Sequence, residues 1–385
     1  MKKLTLVLMR SISVAITLLA LSIFIVPGYA LETVQQHKAD KTVSPANKEK
    51  DSARKKTSNF KVGVLYWSMN IPGQVAMRKG LEKQIDHINR QNGISNKPTL
   101  ELVVKIAGDG DQGIERQIIQ MRELIKAEVD IIIAQPTDIA ALSEPLKEAN
   151  KAGIPVVAYD QYILGGKLAA YVTSDNYQAG YLGGEYVAAH FPNDKKLRII
   201  LVEYPHVSST VERVDGYFDA LNEYEQKYEV LKNYSAVEPV SGKKAAKQIL
   251  KDFPGKNSFD VIFTVNDGGG MEIAKALIQA ERNEVFFTTV DGDPYSVELI
   301  KNNTIVRLDS AQFCGELGAE SARIANRILN KEHVPKLSLV PVFPITRETV
   351  NLYNGWLAPM PVKFKKSWKS KKPYWEPFIR NPMGQ

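Results

Sequence analysis

The residues with chemistry to offer stand where short apolar runs give way to polar ones. Trp67, Asn70 and Gln74 follow the first such run, Asp160 and Gln161 follow a second, and Arg213 comes just after Ser208-Ser209-Thr210. Asn266 and Asp267 precede Gly268-Gly269-Gly270, Asp291 follows Val290, and Gln312 follows the run ending at Leu308. Amide, carboxylate and guanidinium groups hydrogen-bond small polar molecules, and the charge-assisted bonds are the strong ones. In open parallel sheets, ligands bind beyond the carboxyl ends of the strands. Trp67, Asn70, Gln74, Asp160, Gln161, Arg213, Asn266, Asp291 and Gln312 are therefore the candidate ligand-binding set.

Other chemistries fit less well. A hydrolase would pair Asp160 with Asp291 as its two carboxylates, and this is kept as a minor alternative. The three glycines lack the Lys-Ser/Thr of a phosphate loop. Ser208 and Ser209 lack a G-x-S-x-G elbow. Asp109 and Asp111 lack the remaining ligands of a calcium loop, and read better as a helix start. The histidines show no metal-ligand spacing. Asp138 and Asp267 read as helix caps, the commonest use of Asp after a strand. Cys314 reads as a small packing residue, and one thiol allows no intramolecular disulfide. No catalytic residue, metal or cofactor is expected.

These residues need a scaffold that brings distant strand ends together. Apolar runs at 61–66, 100–106, 130–134 and 155–159 alternate with helical periodicity at 73–90, 113–126 and 139–151. A second series follows, with strands at 169–173, 197–202, 228–235, 259–264, 285–290 and 304–308. Its helices fall at 177–190, 211–225, 243–251, 270–279 and 295–301, before a last long helix at 314–330 and one last strand at 338–343. Nearly continuous apolar strands are covered on both faces, and alternating units of this kind build doubly wound α/β sheets. The repeating stretch exceeds what one core supports. Two lobes are expected, residues 61–173 with 313–341 and 175–311 with 342–352, joined by three crossing strands.

The ends differ from this body. Lys2, Lys3 and Arg10 precede an apolar run and the small residues Gly28 and Ala30, the pattern of a secretory signal over residues 1–30 cut after Ala30. An uncleaved anchor is the alternative. Residues 31–59 are a polar linker. Residues 353–385 are basic and rich in Trp and Pro, without periodicity, and read as a solvated tail, with attraction to an anionic membrane or a partner as the alternative. The formal charge is +7, but residues 1–30, 31–60 and 353–385 carry +3, +3 and +6, which leaves 61–352 at about −5. A mildly acidic body excludes a nucleic-acid face.

Taken in order, the polar set resembles periplasmic sugar-binding proteins of the ribose/galactose type, whose type I fold is shared with LacI-like ligand domains. Gln135-Pro136-Thr137-Asp138 is similar to the family's motif after the third strand, Ser174-Asp175-Asn176 to its crossover, and Glu212-Arg213-Val214-Asp215-Gly216-Tyr217 to the segment carrying its ligand arginine. The resemblance implies that Asp160, Arg213, Asn266, Asp291 and Gln312 grip ligand hydroxyls. It implies a periplasmic protein, not an enzyme and expected as a monomer, that closes on a sugar or sugar-like ligand and delivers it to an ABC permease. Presentation of the closed form to a sensor kinase or chemoreceptor is the alternative. Where the family stacks aromatic rings on the sugar, this chain has Ile71-Pro72-Gly73-Gln74 and Val237. That departure points to a smaller or more polar ligand, or a furanosyl signalling compound.

Overall fold

Strands such as Ile131-Ile132-Ile133-Ala134 have no polar face to turn to water, so helices must cover both sides. The computed structural model describes residues 59–382 and shows that arrangement. The expected signal sequence, and the expected linker apart from Asn59, lie outside the described residues.

The first lobe opens with β1 (Phe60–Tyr66), α1 (Pro72–Ile94), β2 (Leu100–Ile106), α2 (Gly110–Lys126), β3 (Ile131–Ala134), α3 (Ser143–Lys151), β4 (Val156–Tyr159) and β5 (Ala170–Ser174). The chain then crosses into α4 (Asn176–His190), β6 (Leu197–Glu203), α5 (Ser208–Glu223), β7 (Tyr228–Ser235), α6 (Pro239–Asp252), β8 (Val261–Thr264), α7 (Asp267–Gln279), β9 (Phe286–Asp291), α8 (Pro294–Lys301) and β10 (Val306–Ala311). It returns with α9 (Cys314–Leu329) and β11 (Leu337–Val340), and crosses again into β12 (Phe343–Ile345). The first sheet runs β11-β5-β4-β3-β1-β2, with every pairing parallel. The second runs β12-β10-β9-β8-β6-β7, with only β12 antiparallel. The protein is thus two doubly wound α/β lobes.

The single strand expected at 338–343 is two strands in two sheets. Pro341 has no N–H to donate, so the ladder stops there. The chain changes sheets between Val340 and Phe343.

Close helix packing fixes the site. A Cβ on Gly180 would meet the Arg213 carbonyl oxygen at 1.8 Å, and one on Gly216 would meet that of Tyr177 at 2.0 Å. Only glycine lets α4 and α5 lie backbone to backbone here, and this contact seats Arg213 under the strand ends.

The C-terminal segment is not a solvated tail. Two short strands, β13 (Phe364–Lys365) and β14 (Tyr374–Trp375), pair antiparallel. Trp375 is buried against Phe313, Phe343 and Phe364, and its indole N–H donates to the Val342 carbonyl at 2.6 Å. The Lys366 ammonium donates to Glu185 in α4 at 2.8 Å, both side chains almost wholly buried. Arg380 pairs with Asp175 at the first crossing, and its backbone pairs with Leu339 of β11. Buried rings and paired charges offset the ordering cost of this segment.

Candidate functional site

The carboxyl ends of both sheets face one cavity. Eight of the nine expected residues line it: Trp67, Gln74, Asp160, Gln161, Arg213, Asn266, Asp291 and Gln312. Asn70 does not. Its amide donates to the Asp109 carboxylate at 2.6 Å outside the cavity, which also takes Asp109 away from capping α2. This loop-to-loop bond satisfies Asn70 without a ligand.

The two strand-terminal aspartates are held in unusual backbone conformations. Asp160, just past β4, has φ +65°, and Asp291, closing β9, has φ +132°. Left-handed geometry at a residue other than glycine costs of order 1–3 kcal/mol and persists only where neighbours impose it. The Asp160 N–H donates to the Val172 carbonyl, and its own carbonyl accepts from Tyr171 Oη at 3.1 Å and Thr173 Oγ1 at 2.9 Å. The Asp291 carbonyl accepts from the Gln312 N–H at 3.1 Å and the Trp356 indole at 2.6 Å.

Side-chain bonds then fix the polar groups. Asp160 accepts from Gln135 Nε2 at 3.0 Å, and Gln135 Oε1 accepts from the Trp67 N–H at 3.3 Å. Burial pushes the Asp160 carboxyl up to about 6, while the Gln135 bond and Arg213 pull the other way. Asp291 accepts from Arg213 Nη1 at 3.1 Å and from Gln312 Nε2 at 2.6 Å. Burial raises its pKa too, opposed by Arg213. Arg213 further donates Nε to Asn176 and Nη1 to the Val265 carbonyl, which leaves Nη2 as a donor not used within the described residues. Gln74 accepts from the Ser68 N–H through Oε1, so its Nε2 is likewise unused there.

Two expected binders also have structural duties. Asn266 caps α7 by accepting from the Gly269 N–H, and its amide donates to the Val237 carbonyl. The helix cap expected of Asp267 thus belongs to Asn266. The Asp267 carboxylate instead accepts from Thr289 Oγ1 at 2.7 Å and the Asp293 N–H at 2.7 Å in the second lobe's interior. Gln312 accepts from Ser174 Oγ at 2.7 Å while donating to Asp291, so one side chain spans the crossing between lobes.

Gln135, Asn176, Ser209 and Thr210 are site residues that the expected set omits. Gln135 and Asn176 sit in the motifs quoted above, and Ser209 and Thr210 in the Ser208-Ser209-Thr210 run. Gln135, Asn176 and Ser209 hold other side chains and Thr210 donates to the Tyr204 and Val207 carbonyls, roles that residue type alone does not announce. Cys314 is fully buried and borders the cavity as a packing residue, its thiol pushed well up by burial. Trp67 is the one aromatic among the lining residues, and Ile71, Gly73 and Val237 supply aliphatic wall where rings were missing.

The arrangement sets one buried guanidinium against two carboxylates, with amide groups between. Such a set of groups can both donate to and accept from the polar groups of a small molecule.

Comparison with known proteins agrees with this architecture. The ribose import binding protein RbsB of Bacillus subtilis (strain 168) is 26% identical over 336 residues, 86% of this chain and 97% of its own. Ribose import binding protein RbsB of Escherichia coli (strain K12) is 24% identical over 71% of this chain and 86% of its own. An ABC transporter periplasmic solute binding protein from Actinobacillus succinogenes 130z, solved with D-allose, superposes with TM-score 0.64 at 24% identity, covering 77% of this chain and all of that one. An ABC transporter solute binding protein from Bacillus halodurans C-125, solved with myo-inositol, superposes with TM-score 0.66 at 22% identity over 77% and 97% of the two chains. These likenesses show the fold. The model of the periplasmic binding protein domain matches residues 62–333, well over half of the sequence, and the chain belongs to that family.

Proposed function

We propose that this protein is a periplasmic receptor that closes on a small neutral polyhydroxylated ligand, a sugar or polyol of monosaccharide size, and delivers it to an ABC permease. One observation carries the reading: Asp160 from one lobe meets Arg213 and Asp291 from the other in a single small cavity whose formal charge is negative. Planar carboxylates and a guanidinium match vicinal hydroxyls in bidentate fashion. A phosphate or carboxylate on the ligand would face two buried carboxylates with one cation to compensate. The names of the relatives, which import ribose, support the transport role over sensing. The hydrolase alternative is set aside, since both carboxylates are already engaged by Gln135, Arg213 and Gln312.

Thermal unfolding tests the reading with ribose, allose, arabinose and myo-inositol beside their phosphorylated or oxidised counterparts. A ligand at a hundredfold its Kd adds about 2.7 kcal/mol to the folded state. At least one neutral compound is expected to raise the melting temperature, and its phosphate ester to leave it unchanged. Stabilisation by the anionic compounds alone, or by none of either class, would overturn the assignment.

A further inference from the structure

A second concave surface lies away from the ligand cavity, between α1, α9 and the C-terminal segment, with a volume of about 550 Å³. One wall is a stripe on α1: Lys79, Lys83, His87 and Arg90 are all exposed, line the groove, and form no ion pair among the described residues. Their spacing of four, four and three residues puts them on one helix face. The opposite wall carries Trp356 and Leu357, the latter 54% exposed. Glu316, the groove's one carboxylate, is already paired with Arg323.

Unpaired basic side chains ordinarily mark a solvated face, but three features set this stripe apart. Among the residues lining the groove its basic side chains meet a single carboxylate, Glu316, which Arg323 already occupies. It faces apolar side chains across a groove. And the facing wall is fixed in place: the Trp356 carbonyl accepts from the Gly315 N–H at 2.9 Å while its indole donates to Asp291. A preformed wall lowers the ordering cost of binding.

We propose that this groove docks an acidic, partly apolar peptide segment of a partner protein. Length selects the occupant. Lys79 to Arg90 spans about 16 Å along the helix, too long for one phosphate and matched by roughly five residues of extended chain. Carboxylates every second residue would meet the basic side chains while the alternate side chains rest on Trp356 and Leu357. Concavity favours a peptide over a lipid surface, because a flat headgroup layer does not enter a groove.

The test uses the full mature chain and a fluorescein-labelled decapeptide of alternating Glu and Leu, followed by fluorescence anisotropy. Binding is expected, weakening as salt rises. The variant Lys83→Glu/Arg90→Glu is expected to bind at least about tenfold more weakly, because exposed pairs are replaced by like-charge contacts. Both positions are exposed, so its melting temperature and its response to the sugar ligand should match the parent, which keeps this test separate from that of the ligand cavity. The proposal fails if the decapeptide does not bind, if the variant binds it equally well, or if phosphatidylglycerol vesicles are retained while the peptide is not.

Discussion

Gln161 Nε2 donates to Ser209 Oγ at 2.8 Å, joining the end of β4 in one lobe to the first turn of α5 in the other. The Ser209 N–H returns a longer bond to Gln161 Oε1 at 3.4 Å. The amide expected to hold ligand is therefore a latch across the cleft. It spans the two lobes, the kind of contact that the hinge closure of periplasmic binding proteins would make and break.

Gln161→Ala is expected to weaken the closed state specifically. A buried neutral hydrogen bond contributes about 0.5–1.5 kcal/mol net, which corresponds to roughly two- to tenfold in affinity. Stopped-flow measurement with the ligand found by thermal screening should show the loss mainly as faster dissociation. An unchanged dissociation rate would mean that Gln161 contributes nothing to closure.

Arg213 and Asp291 separate stability from binding. Asp291→Ala leaves a guanidinium that is 3% exposed without its charge partner, and breaking a buried pair in this way costs about 3–5 kcal/mol. Arg213→Met/Asp291→Asn removes both charges and should recover most of that loss in urea unfolding. It should still bind no sugar, because the groups that grip hydroxyls are gone. Ligand binding by the double variant would assign recognition elsewhere in the cavity.

The parts of this molecule legible in its sequence are those specified locally. Each run such as Val261-Ile262-Phe263 is a buried strand by its own composition, and the helices between follow their own periodicity, so the α/β alternation could be read directly. Eight of nine expected site residues line the cavity because the position after a parallel strand defines the place. What could not be read depends on partners far along the chain. Asn70 turns to Asp109, 39 residues away, and Lys366 is buried by Glu185, 181 residues away. Nothing near Lys366 distinguishes it from its solvated neighbours. The division of 338–343 into two strands turns on Pro341, whose missing N–H interrupts a run that hydrophobicity alone makes continuous.

Buried carboxylates give the unfolding a sign that can be measured. Asp309 is fully buried in β10, its two oxygens accepting from the Gly292 N–H at 3.0 and 3.1 Å, and burial raises its pKa to about 7, opposed by the neighbouring Asp267 carboxyl, whose own pKa burial raises well above the usual range. Asp160 shifts the same way, to about 6. A carboxyl raised in the folded state contributes stability that is complete below its unfolded value near 4 and is lost as pH rises through the folded value. Carboxylates lowered by surface partners, such as Asp252 at about 2, titrate below this window. The ligand-free protein should melt higher at pH 5 than at pH 8, by roughly 5 °C. Asp309→Asn should flatten that dependence, and an equal slope in the variant would place the titration on other groups.

Lys366 tests whether the C-terminal segment is part of the fold. Its ammonium and the Glu185 carboxylate are 2% and 0% exposed, and burial lowers the lysine's pKa. Glu185 also accepts from the Trp368 indole at 3.0 Å, Ser370 Oγ at 2.7 Å and Tyr224 Oη at 3.1 Å. Lys366→Met keeps the apolar stem but strands a carboxylate in the interior, a loss of about 3–5 kcal/mol. Lys366→Met/Glu185→Gln should regain most of it, since the amide oxygen can accept from the Trp368 indole while the amide NH2 takes the other position and donates to the Tyr224 and Ser370 hydroxyls, which can turn to accept. Denaturant unfolding of the three proteins measures both steps. A solvated segment would make the single change neutral, so an unchanged midpoint for Lys366→Met would detach residues 364–375 from the body.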